Sequence, residues 1–148
     1  MAFRFALATV LRLRQSVERQ RTLQLQDATS QVLNAKLKLT ELERSLSDSS
    51  AEDLSALGAG RRAAEMHFAL TIRENSKLIR IALTAEISGL ELLRAKVLAE
   101  YQKASRDREV LELLFERQRK EFRRQKDRSL QHEADEAFLL QRWRGGKI

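Results

Sequence analysis

The chain has 148 residues, 33% of them charged, a formal net charge of +7, and neither proline nor cysteine. Lacking cysteine, it offers no disulfide framework, no zinc-finger ligation and no thiol nucleophile. Aromatic residues are only 5%, too few for a large ring-packed core. A composition rich in Ala, Leu, Glu, Arg and Lys is that of long helices, and the positive balance favours acidic partners: nucleic acid, anionic lipid or an acidic protein surface.

The first residues, MAFRFALATVLRLR, place an apolar run from Phe5 to Leu11 behind Arg4. Arg12 and Arg14 close the run and no small-residue cleavage site follows, so a secretory signal is not expected. Nor is there an uncharged stretch of membrane-spanning length, and the chain reads as soluble.

The spacing predicts a first helix over 2–47. From Leu25, the residues Ala28, Val32, Ala35, Leu39, Leu42 and Leu46 follow in alternating steps of three and four, the seam of a left-handed coiled coil. Upstream, Phe3, Ala6, Val10, Leu13 and Val17 keep the same rhythm in another phase. The offset near Arg21 predicts a local change of supercoiling. Residues 2–17 also suit an amphipathic helix on a membrane surface, although burial in a hairpin explains the same pattern.

A connection is expected over 48–61, where serines, acids and glycines gather. Ser50 with Asp53 is read as capping one short turn, and Gly58 and Gly60 as supplying backbone freedom for the reversal. A second helix is expected over 62–143 and a tail over 144–148. Its stripe runs Ile72, Ser76, Ile79, Leu83, Ile87, Leu90, Leu93, Val97, then Tyr101, Ala104, Arg108, Leu111, Phe115, Gln118 and Phe122. Two such stripes joined by a short link cover each other. The expected fold is therefore all-α: a single domain over 1–148, formed by a long antiparallel two-helix coiled coil, a helical hairpin whose second helix is the longer.

With a reversal near residue 54, Phe3 falls opposite roughly residue 105, and the second helix runs on alone for about 35 residues. That overhang still carries Leu111, Phe115 and Phe122, an apolar stripe that calls for a cover. A partner, a slipped pairing or a homodimer would each supply one. A second apolar feature lies nearer the bend. Leu70, Leu78, Ile81 and Ala82 flank the seam residues Ile72, Ile79 and Leu83, a wider band than two strands require. It is either a partner surface or a thicker local core.

No catalytic constellation is present. Gly58-Ala59-Gly60 lacks the lysine and strand of a phosphate loop, and the serines have no histidine base nearby in sequence. His132 and Glu136 share a helical face but give two ligands where zinc normally needs three or four, so an ion pair is the better reading. No enzyme, metal or cofactor is expected. Basic residues flank seam positions at both chain ends, with acids interspersed, a weak pattern for nucleic acid.

Phe3, Phe5, Leu7, Val10, Leu11 and Arg14 form an F-x-F-x-L-x-x-V-L-x-x-R type opening that runs into the coiled coil. LGAG at 57–60 marks a bend before a long return helix, and RRQKDRSLQHEADEAF passes from basic to acidic, with Asp135-Glu136 inside it. In order and spacing these features resemble the flagellar FliJ family over nearly the whole chain. The resemblance implies a cytoplasmic stalk-like component of the type III flagellar export apparatus, peripheral to the inner membrane at the flagellar base. The implied partners are the hexameric export ATPase, the cytoplasmic part of the export gate and export chaperones. On that footing Arg4, Arg12, Arg14, Phe115, Arg119, Phe122, Arg123 and Arg124 are expected to face the ATPase ring. Leu42, Ile72, Leu78, Ile79, Ile81 and Leu83 are expected at the gate. A generic coiled-coil adaptor or homodimer, and the analogous stalk of a virulence-type system, are the alternatives.

Overall fold

Without proline, nothing interrupts a backbone built from good helix formers, and two helices account for nearly all of the chain. The computed structural model describes residues 2–58, 60 and 62–146. Helix α1 is Ala8–Gly58 and α2 is Ala63–Gly145. They pack against each other as an antiparallel hairpin, the second helix longer, as the spacing predicted.

The largest departures from expectation are at the two ends of α1, while α2 runs two residues beyond its expected end, to Gly145. Residues 2–5 are extended and 6–7 form a turn, with the Ala8 N–H donating to the Phe5 carbonyl at 3.1 Å, so α1 begins at Ala8 and not at residue 2. At the other end α1 continues through 48–58, where a connection was expected. Serines disfavour a helix by only about half a kcal/mol each, and pairing with α2 offsets this: Asp53 accepts from Arg73 and is no cap. The reversal is thus confined to a few residues around Gly60, whose φ of +78° is open to glycine at no steric cost. Residues 59 and 61 of the expected connection, and 147 and 148 of the tail, lie outside the described residues.

The chain divides into two compact units, one of Arg19–Gln102 and one of Met1–Glu18 with Lys103–Ile148. In the first, the predicted α1 seam is the observed one. Ala28, Val32 and Ala35 are buried, and Leu25, Leu39, Leu42 and Leu46 are half-buried. The α2 side is supplied by buried Ile87 with half-buried Met66, Ala69, Ser76, Leu83, Leu90 and Val97. Ile72, Ile79 and Leu93, read as seam, are about half exposed. Beside Ile72 the half-buried residue is Arg73, one position along. The alanines on α1 let the helices approach closely.

In the second unit the phase counted from Phe3 holds only at its ends. Phe3 and Val17 are half-buried but Ala6, Val10 and Leu13 are exposed, while Leu11, Gln15 and Glu18 are half-buried. Phe3 lies on extended chain, so a helical count begun there does not carry into α1. Glu18 instead bonds Arg108 on α2 and fixes which side of α1 faces inward.

Charged side chains line the seam and its edges. Arg73, Arg80, Arg94 and Arg108 share one heptad position of α2 and reach Asp53, Glu43, Thr29 and Glu18 respectively. Hydrogen bonding to Glu18 raises the Arg108 guanidinium above its ordinary pKa, helped by Glu112. Bases of α1 answer acids of α2: Arg21 with Glu100 and Lys36 with Glu91, each at 2.8 Å, and in the other unit Arg14 with Asp107 at 3.4 Å. The hydrogen bond from Lys36 holds the Glu91 carboxyl below its usual range.

Two outcomes follow. Ile87→Ala should lower the unfolding free energy by about 2–4 kcal/mol, while Ile79→Ala should cost less than about 1 kcal/mol, in denaturant titrations followed by circular dichroism. Because the folded Glu91 pKa is depressed, the stability it adds is present above the unfolded carboxylate pKa of about 4 and is lost as pH falls through the lower folded value. Glu91→Gln should therefore flatten the acid limb of the pH–stability profile and leave the limb above pH ~8 unchanged.

Candidate functional site

With no enclosed pocket expected on a helical hairpin, the candidate sites are faces. The first belongs to the unit that holds both chain ends. Alternation in the extended segment sends Phe3 and Phe5 one way and Arg4 the other. Phe5 is buried and Phe3 half-buried. The Phe3 ring lies 5.6 Å from Phe115 and 5.5 Å from Phe122, and Phe5 lies 5.3 Å from Phe115. These spacings and the edge-on tilts are those of attractive aromatic pairs, each worth about 0.5–1.5 kcal/mol beyond the area buried.

This cluster splits the eight residues expected at the ATPase ring. Phe115 and Phe122 are covered by the chain's own N-terminal segment, because the later reversal and the extended start carry residue 3 further along α2 than two helices reversing at residue 54 allow. Arg4, Arg12, Arg14, Arg119, Arg123 and Arg124 remain exposed. Two of these have acidic neighbours, Asp107 at 3.4 Å from Arg14 and Glu116 at 4.0 Å from Arg119.

The overhang therefore starts after Phe122, not near residue 105. Every described residue from 123 to 146 is exposed, a single helix of about 35 Å to Gly145. It opens basic with Arg123, Arg124, Lys126 and Arg128, and turns acidic at Glu133, Asp135 and Glu136. Phe138, Leu139, Leu140 and Trp143 near its end are each about 60% exposed. That closing apolar cluster was missed by the sequence reading; its signal is the run FLLQRW outside any seam. His132 bonds Glu136 at 3.4 Å on this exposed helix, and among the described residues no group of three or more His, Cys, Asp or Glu is placed to hold a metal.

The second face lies on the unit of residues 19–102. Of the six residues expected at the gate, Leu42 and Leu83 are half-buried in the seam. Ile72, Leu78, Ile79 and Ile81 are exposed by 48, 64, 52 and 66%, joined by exposed Leu70. The width of the band is thus surface, not a thicker core, and it lies on α2 alone. The ladder of arginines on α2 was also missed, although Arg73, Arg80, Arg94 and Arg108 recur at multiples of seven.

Phe5→Ala should cost about 3 kcal/mol and speed proteolysis within the first ten residues, measured by denaturant titration and limited digestion; Phe138→Ala should leave stability unchanged.

No helix among the described residues is long and apolar enough to cross a membrane. Searches of curated proteins and of solved structures return no significant match. The family model described as "Flagellar FliJ protein" matches residues 3–147. The chain belongs to the FliJ family of flagellar proteins.

Proposed function

We propose that this chain is a non-enzymatic, stalk-like adaptor of the flagellar type III export apparatus, held in the cytoplasm at the flagellar base. The observation that carries the reading is the continuation of α2 beyond Phe122 as a lone helix, basic at its root and apolar near its end. Family membership supplies the export context. The helix supplies a projecting surface narrow enough to enter a ring.

In this reading Arg119, Arg123 and Arg124, with Arg4, Arg12 and Arg14, meet acidic surface on the hexameric export ATPase. Phe115 and Phe122 act indirectly, by fixing the root of the overhang against Phe3. The exposed band of Ile72, Leu78, Ile79 and Ile81 faces the cytoplasmic part of the export gate, and export chaperones are further partners. Electrostatic complementarity of this kind sets encounter rate and orientation more than final affinity, so ring binding weakens as salt rises.

Removing residues 123–148 should abolish capture by the nucleotide-bound ATPase hexamer while circular dichroism still reports a folded hairpin. Undiminished capture by the truncated chain refutes the assignment. Ile81→Glu should weaken gate binding at least about tenfold, with no loss of helicity.

A further inference from the structure

The seam of the unit of residues 19–102 is uneven along its length. In the middle of α1, Ala28, Val32 and Ala35 are buried, and so is Ile87 on α2. From 36 to 86 no described residue is buried. Nearest the bend, the described α1 side of the seam holds no large apolar side chain. After Leu46 its half-buried residues are Ser50, Asp53 and Ala56, while Leu54 points elsewhere and is 72% exposed. The half-buried α2 residues at this end are Met66, Ala69, Arg73 and Ser76.

The backbone here is a poor helix former. Residues 47–58 include four serines and two aspartates, whose side chains compete for backbone hydrogen bonds. A segment so short, parted from its neighbour, does not hold as helix in water, where isolated helices under about 12–15 residues are marginal even when rich in alanine. The helix over 48–58 therefore depends on being paired. Its tie to α2 is the ion pair of Asp53 with Arg73, whose side chains are only 22 and 26% exposed. The tie is imperfect, because the Arg73 Nε is buried without a hydrogen-bond partner. That donor is a cost the open form does not carry.

We propose that the bend end of the hairpin is a local switch. Residues 48–58 part from α2 and unwind as a unit, while the seam from Leu25 to Leu39 stays closed. Segments with few buried apolar contacts open at a smaller free energy than the core, and here the Asp53–Arg73 pair sets the balance. Opening returns the Arg73 Nε to water. It also uncovers Met66 and Ala69 beside exposed Leu70, so the apolar surface that α2 offers at this end grows when the tie lets go. The switch needs only this chain and does not rest on the export reading.

Native-state hydrogen exchange of the purified full-length chain, read by mass spectrometry, is the test. Amides of 48–58 should exchange at least about a hundredfold faster than those of 25–39. Asp53→Asn removes a charge-assisted hydrogen bond and should speed exchange over 48–58 at least about tenfold, leaving 25–39 unchanged. Ser50→Leu places an apolar side chain at a half-buried seam position and should slow exchange over 48–58 at least about tenfold. Ser49→Leu, on the exposed side, changes only helix propensity and should slow it less than about threefold. Equal protection of 48–58 and 25–39 would overturn the proposal. So would a D53N variant that exchanges no faster or faster everywhere alike, or equal effects of S49L and S50L.

Discussion

Two helices can cover only one stripe of each other, and the character of this protein follows from that limit. A single pairing buries Val32, Ala35 and Ile87 and leaves the remaining sides of both helices in water. Among the described residues no side chain is buried so fully that a second layer would be needed to explain it. The apolar surface outside the seam, from Leu70 to Leu92 and again from Phe138 to Trp143, is surplus to the fold. Surplus of that extent marks binding faces more often than scattered surface residues do.

The seam is also less apolar than its periodicity suggests. Arg73 and Arg108 occupy it, mostly covered, with their charged ends on Asp53 and Glu18, and the Arg73 Nε is buried without a hydrogen-bond partner. Long basic side chains cover apolar surface with their stems. A polar residue at a seam position fixes register at some cost in stability. Here that counts, since within each unit a shift of register parts an acid from its arginine, Glu18 from Arg108 in one and Asp53 from Arg73 in the other.

Much of the architecture was legible because heptad spacing reports burial directly. Leu25 to Leu46 on α1, and Leu83, Ile87, Leu90, Val97, Tyr101, Ala104, Leu111, Phe115 and Phe122 on α2, lie where the count puts them. The errors over the reversal and the chain start share one cause: spacing gives phase but not origin. The serine-rich stretch 48–58 looked like a link by composition and became helix through its partner, which moved the reversal to Gly60. The start at Phe3 was counted as helix although it is extended. Both errors shifted the expected overhang and made Phe115 and Phe122 seem uncovered. The exposed faces were partly legible for a related reason. Exposed charge at Arg123 and Arg124 is plain in the sequence, but whether an aromatic is covered depends on the register, which only the paired structure supplies.

The overhang has a further consequence for how long any complex can last. Beyond Phe122 the helix is held by its own backbone hydrogen bonds, the propensities of its residues and local pairs such as His132 with Glu136, a balance that is marginal in water. Whatever grips residues 123–145 must spend part of its interaction energy suppressing the unwound forms of that segment. The net affinity is correspondingly smaller than the contact area suggests, and the loss falls mainly on the dissociation rate. A projection built this way suits repeated grasp and release rather than permanent anchoring, in contrast to the aromatic cluster at its root, where Phe3 and Phe5 hold Phe115 in place.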